Sequence, residues 1–534
     1  MKTTAMNRVF FFSAFLLGSI AAACGGGGSS ITPPPPPVGN FSNASLNGTY
    51  AFSMSGTDLS GFSIARIGSF QADGQGNITA AIEDVNDGGS NSAFLFTAAP
   101  ASTYSISANG KGTVTLSHPD VNNPSVADVF VFSIALDSTS GGLMVETDGF
   151  STMSGNFHLQ NITSAFATGY AFDFSGVDLG SGSSISLVGQ FTTNGVSGVT
   201  GGVMDVNDDA SASGPLTIQP GTITLDPSNF SNFGRGTLSV STTINSQLVN
   251  LTYIFYVVDA SHMIFVENDS NAQTVGSATA QTNVPTTVAA FPGSFVFAVG
   301  GGAFNTSQFG PLARVGRFTS DANGTITNLA LDDDFVGGVN TFPKSGGFKN
   351  VALTIDAAGT GRGTLNFTDV TRNQPFIYVF YMASATQGFI QDNSANVVGD
   401  GTITAQSGTF TPASLAGSYA IDWGGVNLDN GFEEDFVGVI PISNAGTNNI
   451  SGGVVDFTEL GDLKIFTGVA VNGFLTLQGE GSLGGAQGNA MQLTTATSPA
   501  TTFNFRAYVV DNNTIVIVGV DSDRVVIGTA LRQQ

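Results

Sequence analysis

The sequence predicts an all-β protein of four tandem antiparallel domains, each an eight-stranded meander barrel, preceded by a signal peptide and a Gly/Pro-rich linker. Three observations carry that reading. Charged residues make up only 10% of the 534-residue chain while 41% are hydrophobic and 70 are Gly, which excludes the Glu/Lys-rich composition of helical bundles and leaves enough apolar side chains to build cores. Short apolar and β-branched runs are punctuated by hairpin dipeptides such as Asp73-Gly74, Asn109-Gly110, Asn194-Gly195 and Asn323-Gly324, which supply the positive φ of tight turns. One ordered set of landmarks then recurs four times, which sets the domain count.

At the N-terminus, Lys2 and Arg8 precede an apolar run from Val9 to Ala23, so residues 1–23 read as a secretory signal too short to span a bilayer. The stretch Ala21-Ala22-Ala23-Cys24-Gly25 resembles a bacterial lipobox, with Ala21 in place of the usual Leu. The resemblance implies cleavage before Cys24 and a diacylglycerol on its thiol. Gly25, where inner-membrane lipoproteins carry Asp, implies a cell-envelope protein anchored in the outer membrane. Ordinary cleavage after Ala23 is the alternative. Cys24 is the single cysteine, so the repeats must be stable without disulfides. Residues 24–44, with Gly25 to Gly28, Ser29, Ser30 and Pro33 to Pro37, read as a flexible and then stiff tether.

The repeats fall at 45–161, 165–282, 290–407 and 414–534. Each opens on a glycine and an aromatic: Gly48-Thr49-Tyr50, Gly169-Tyr170, Gly293-Ser294-Phe295 and Gly417-Ser418-Tyr419, with the aromatics 120, 125 and 124 residues apart. Next come Gly68-Ser69-Phe70, Gly189-Gln190-Phe191, Gly316-Arg317-Phe318 and Gly438-Val439-Ile440. A strand follows that runs from a β-branched residue to an aspartate: Ile78 to Asp84, Val199 to Asp205, Ile326 to Asp332, Ile450 to Asp456. Each copy closes on a glycine and a glutamine: Gly155 and Gln160, Gly276 and Gln281, Gly401 and Gln406, Gly528 and Gln533.

In the first copy, strands are expected near Thr49 to Met54, Ala65 to Gln71, Asn77 to Asp84, Thr103 to Ser107, Gly112 to Ser117, Asp128 to Leu136, Leu143 to Glu146 and Gly155 to Gln160. A meander of this length with an opening Gly-x-aromatic resembles the lipocalin-like (calycin) barrels, although Tyr50, Phe295 and Tyr419 stand where that family carries Trp. A β-sandwich is the runner-up and a propeller the third reading. The sixth strand is apolar on both faces in copies one and two, as in Leu251, Tyr253, Phe255 and Val257 against Thr252, Ile254, Tyr256 and Val258. Such a strand is covered on both sides, by a neighbouring copy or by a partner. Copy four alternates more cleanly there, as a terminal cap would.

Motifs for chemistry are few. Lys+Arg total 15 against 39 Asp+Glu, a net charge of −24, which excludes a nucleic-acid partner. His118, His158 and His262 are far apart in sequence and read as surface or turn residues. Gly479, Gly481 and Gly484 spell a dinucleotide fingerprint, but the loop joins expected strands and lacks the helix such a site needs. The one cluster of interest is acidic: Glu83, Asp84, Asn86 and Asp87; Asp205, Asn207, Asp208 and Asp209; Asp332 to Asp334; and Asp456. Oxygen ligands of this kind suit calcium, making Asp84, Asp87, Asp205, Asp208, Asp332 and Asp334 candidate metal ligands, whereas strand-ending Asp and Asn equally serve local turns. Phe, at 43 residues, and the single Trp, Trp423, are expected in cores.

The functional expectation is a non-enzymatic, lipid-anchored envelope protein. Its short linkers, Thr282 to Ala290 and Ser407 to Ser414, would hold four domains as a stiff projecting rod for binding envelope or extracellular macromolecules. The alternatives are a carrier of small apolar ligands inside the barrels and a hydrolase of extracellular polymer using Asp84 and its counterparts.

Overall fold

The computed structural model describes residues 40–96, 101–119, 127–244, 246–305, 308–343, 346–444, 448–460, 464–477 and 489–534. The signal, Cys24, most of the tether and the Gly479 to Gly484 loop lie outside the described residues.

Each repeat is an antiparallel meander whose last strand returns to pair with its first, for example Asn47–Asp58 with both Ser63–Asp73 and Ser151–Leu159. Repeats 2 and 4 close into eight-stranded barrels. Repeat 1 also closes, because Asn77–Asp87 pairs with Ser63–Asp73 on one side and with both Ser90–Phe96 and Ser102–Ile106 on the other. Those last two short strands fill one barrel position, and Ser90–Phe96, mostly exposed and poor in β-branched residues, carried no signal in the sequence.

Repeat 3 departs from the expected closed barrel. Its nine strands curl around one core, but the edge strands Gly338–Phe342 and Phe348–Ile355 do not pair. Asn328 and Asn350, at left-handed φ values of +50° and +54°, sit at register shifts of the neighbouring ladders, as Gly452 does at +81° in the closed barrel of repeat 4.

The repeated landmarks position each core. Tyr50 stacks on Phe70, Tyr170 on Phe191 and Phe295 on Phe318, with ring centroids 5.5, 5.3 and 5.4 Å apart. The Tyr50 and Tyr170 hydroxyls donate to the carbonyls of Thr139 and Ala260, pinning the turn before the penultimate strand. Gly68, Gly189 and Gly316 are glycine because a Cβ there would stand 2.6, 2.6 and 2.2 Å from the rings of Phe52, Phe172 and Phe297. Trp423 is fully buried in repeat 4, stacked on Phe436, as expected.

The four repeats form a closed ring, not a rod. Four apolar clusters bridge successive copies: Ala51, Ile67 and Ile82 with Ile254, Tyr256 and Val266; Ala171 and Val188 with Val379, Tyr381 and Phe389; Val296 and Val315 with Tyr508, Val516 and Ile527; and Ala420, Val437 and Leu531 of repeat 4 with Ala135, Leu143 and Val145 of repeat 1. The outer face of the sixth strand is thus covered by a neighbouring copy in repeat 2, and in repeat 1 at Ala135, while Val129 stays 36% exposed. Repeat 4 is no cap, since Tyr508 docks on repeat 3 while Leu531 docks on repeat 1.

Equivalent ends of the barrels lie together. Leu179, in the turn after the first strand of repeat 2, packs on Gly89 of repeat 1; Leu428 of repeat 4 packs on Gly337 of repeat 3; and Ile465 of repeat 4 lies by Gly149 of repeat 1. At the opposite end Phe41 and Gln533 both pack around Gly110, so the described chain begins and finishes at one side of the ring.

Small-angle scattering of residues 40–534 checks the closure. Compact-domain scaling gives a radius of gyration of about 23 Å, whereas four barrels of this size in line, set ~25 Å apart, give roughly 31 Å. The smaller value is expected.

Candidate functional site

The residues repeated in sequence converge on the junctions between barrels. Asp84, Asp205, Asp332 and Asp456 occupy equivalent positions on the third strand of their repeats and each receives donors from the next copy. Asp84 accepts a bidentate guanidinium from Arg235, with Nε and Nη2 at 2.8 and 2.7 Å, and the Tyr256 hydroxyl at 2.6 Å. Asp205 repeats this with Arg362, both bonds at 2.8 Å, and Tyr381 at 2.6 Å. Paired, planar donors of this kind suit a buried carboxylate better than a single point charge.

The other two junctions vary the theme. Asp332 takes the Tyr508 hydroxyl at 2.5 Å, and Arg317, from its own repeat, lies close to both groups. Glu480 stands at the arginine's sequence position in repeat 4, outside the described residues. Asp456 pairs with Lys111 of repeat 1, where Ala135 replaces the tyrosine.

A second clamp uses the closing glutamines. Gln160 Nε2 donates to the carbonyls of Phe233 and Val257 at 2.9 and 2.5 Å, and Gln281 to those of Thr360 and Met382 at 2.8 and 2.9 Å. Gln406 donates to Val509 at 2.6 Å. Gln533 donates to Asn109 and Leu136 at 2.9 and 2.7 Å, so the end of repeat 4 grips repeat 1 as the other copies grip their successors. The glutamine fits because Gly110, Gly234 and Gly361, at φ +86°, +73° and +74°, leave no Cβ in its path. Asn86 and Asn207 also cross their junctions, donating to Glu267 and to both Asp392 and Val397.

Of the six aspartates considered as calcium ligands, Asp84, Asp205 and Asp332 are therefore junction acceptors. Asp87 and Asp208 sit at the turn end of their barrels beside Asp58 and Asp178, and burial raises both, Asp208 to about 6. Asp334 is buried beneath that end, and desolvation with the nearby Asp333 charge raises it to about 8. Among the described residues no three acidic, His or Cys side chains are arranged to hold a metal ion.

The histidines are not surface groups. His118 is buried and stacks on Phe94 with centroids 4.7 Å apart. His158 and His262 meet across the first junction at 5.3 Å, and burial lowers them to about 3 and about 4, so both are neutral at physiological pH.

Buried carboxyls load two junctions. Asp400 of repeat 3 faces Asp173 of repeat 2, and burial raises Asp400 to about 7 and Asp173 well above the usual range. At the closing junction Ser154 of repeat 1 donates to Asp435 of repeat 4 at 2.8 Å, and Thr57 donates to Glu433. Burial raises Asp435 to about 8 and the neighbouring Asp422 to about 7.

Sequence reading found the aspartates and glutamines but not their partners. The signal was present in Gly234-Arg235-Gly236-Thr237-Leu238, Gly361-Arg362-Gly363-Thr364-Leu365 and Gly110-Lys111-Gly112-Thr113-Val114, a basic residue held between two glycines in three copies.

No family model and no curated protein sequence matches the chain. Among solved structures it is similar to the transferrin-binding protein B mutant Trp-176-Ala from Haemophilus parasuis Hp5, at 11% identity over 74% of this chain and 84% of that one, with a TM-score of 0.18. Intact Ap-TbpB, with N and C lobes, gives 10% identity over 92% and 95% and again 0.18.

Two measurements follow from the junctions. Arg235→Met strands the buried Asp84 carboxylate and is expected to cost about 3–5 kcal/mol; Arg235→Met with Asp84→Asn recovers much of that in a double-mutant cycle by denaturant unfolding. The raised carboxyls set a pH slope. The folded state holds protons on Asp400, Asp422 and Asp435 that the unfolded chain has lost, so their contribution is present below about pH 4 and is lost as pH rises through 7 to 8. The melting temperature should fall between pH 5 and 8.5, and Asp435→Asn with Asp422→Asn should flatten the slope.

Proposed function

We propose that the protein is a non-enzymatic component of the cell envelope, tethered by a lipid on Cys24 and presenting a ring of four β-barrels as a rigid platform for binding extracellular or envelope macromolecules. The observation that carries this reading is that the aspartate and the glutamine repeated in every copy are spent on holding the ring shut. Asp84, Asp205 and Asp332 are buried and occupied by tyrosine hydroxyls, two of them also by arginine, so none of these three stands open for attack on a polymer. We assign these carboxylates to the junctions and place no calcium on them.

The carrier reading has less support. A ligand-binding barrel encloses about 300 Å³ or more, whereas the cavity within repeat 2, between Phe172, Phe174, Leu187 and Tyr253, measures about 20 Å³, room for one water. The Phe residues that suggested filled barrels do fill them. Ring closure also changes what repetition does: the four copies supply one another's partner faces, so four identical external sites are no longer implied.

The anchoring half is tested by fractionation with intact-mass analysis of the N-terminal peptide. The natural chain is expected in the membrane fraction with an acyl-modified Cys24, and Cys24→Ser in the soluble fraction. An unmodified Cys24 peptide, or a Cys24→Ser protein that stays with the membrane, would remove the lipid anchor.

A further inference from the structure

Two turns at one end of repeat 1 hold large apolar side chains in solvent. Leu59 is 51% exposed and Phe62 58% in the turn after the first strand, and Phe150 is 55% exposed in the turn before the last. The turns adjoin: Asp58 is paired with Ser151, and Phe62 lies over Gly88 in a third turn. Ile465 of repeat 4, 38% exposed, extends the patch across the closing junction, its Cδ1 3.4 Å from where a Cβ on Gly149 would be.

The patch is particular to repeat 1. Its counterparts of Leu59 in repeats 2 and 4, Leu179 and Leu428, are half-buried on Gly89 and Gly337 of the preceding copies. It is also held in shape. Asp58 Oδ1 accepts the Phe62 N–H at 2.7 Å, and Asp148 Oδ1 accepts that of Phe150 at 2.9 Å. Phe150 leans on Phe130 with centroids 6.3 Å apart, and Phe130 carries the Arg66 guanidinium 4.2 Å above its ring. Exposed aromatics already fixed in place lose little entropy on binding.

Charge chooses the partner. Asp58 and Asp87 border the patch, while its three turns contain no Lys or Arg, and the nearest basic residue in repeat 4, Lys464, is already engaged. Arg66 is buried against Glu83. Asp148, its carboxyl pushed up by burial and then by Glu146, is occupied in accepting the Phe150 and Val131 N–H groups. With a net charge of −24 behind it, this end repels anionic lipid. The patch also lies at the end of repeat 1 opposite Phe41, where the described chain begins.

We propose that Leu59, Phe62, Phe150 and Ile465 form a docking surface for a protein with an apolar centre and a basic rim. This rests on the binding role proposed above and specifies its surface.

The test is fluorescence anisotropy of the full mature chain with a labelled amphipathic Lys/Leu helical peptide, alongside its Glu/Leu counterpart. The Lys/Leu peptide is expected to bind, and the Glu/Leu peptide is not. Binding should weaken by about tenfold or more in Leu59→Ser/Phe62→Ser/Phe150→Ser, and by a few-fold in Ile465→Ser and in Asp58→Asn/Asp87→Asn. Should the triple variant lose its wild-type melting temperature, Phe150→Arg, a single exposed change that adds repulsion, replaces it with the same expectation. Unchanged binding in these variants, equal binding of both peptides, or patch-dependent binding to phosphatidylglycerol vesicles would overturn the proposal. The Cys24 fractionation is independent of all of these, so failure of the patch and failure of the anchor are distinguishable.

Discussion

Everything in this molecule depends on a head-to-tail junction used four times. An interface whose two sides differ propagates from copy to copy and ends only if the rotation it imposes completes a circle. Here it does. Gln533 reaches repeat 1 as Gln160 reaches repeat 2. The bond is made to a backbone carbonyl in the same strand of the receiving barrel, and backbone does not drift with sequence. The side-chain clamp drifts freely around it: Arg with Tyr at two junctions, Tyr with an arginine from the other side at the third, Lys alone at the fourth. A fixed backbone contact with a variable charged one is what allows copies to diverge while the circle still closes.

Closure also explains a composition that is otherwise hard to reconcile with four separate beads. Strands apolar on both faces, few charges and no disulfide would leave isolated barrels exposing their sixth strands. In the ring such a face is covered in repeat 2 and in part in repeat 1, and the terminal copies need no polar caps because neither is terminal. The cost appears as carboxyls taken out of water. Asp435 is held by Ser154 and Asp400 faces Asp173, and neither acid gains a cation. They are tolerated because they keep their protons, which moves the expense from Coulomb repulsion to pH dependence. Burial and neighbouring carboxyls thus lower the negative charge at neutral pH below the formal −24.

Much of the fold was legible because its signals are local. Hairpin dipeptides, alternating apolar residues and recurring landmarks gave the strand class, the four copies and most strand positions. What failed was long-range. Asp84 looked like a strand end or a metal ligand because Arg235 lies 151 residues away, and nothing near it in the chain announces a guanidinium. His158 and His262 read as unrelated surface groups for the same reason: the contact that buries them is a junction between copies. The open seam of repeat 3 was invisible for a different one. Its strands carry the same landmarks as those of the closed copies, so nothing in the sequence marks the edges that do not pair.

The ring also changes how a binding role is argued. In a rod, four similar copies offer four similar sites, and avidity is the natural advantage of repetition. In a ring, equivalent faces are consumed pairwise, so any outward site must come from residues the copies do not share. The turns of repeat 1 illustrate this: Leu179 and Leu428 are spent on the preceding barrel, whereas Leu59 stands beside Phe62 and Phe150 with half its surface in water. Function is then read from departures from the repeat, and the repeat itself is read as scaffold. That division fits the geometry of the ends, since the chain enters and leaves at one side of the ring and the divergent aromatic turns project from the other.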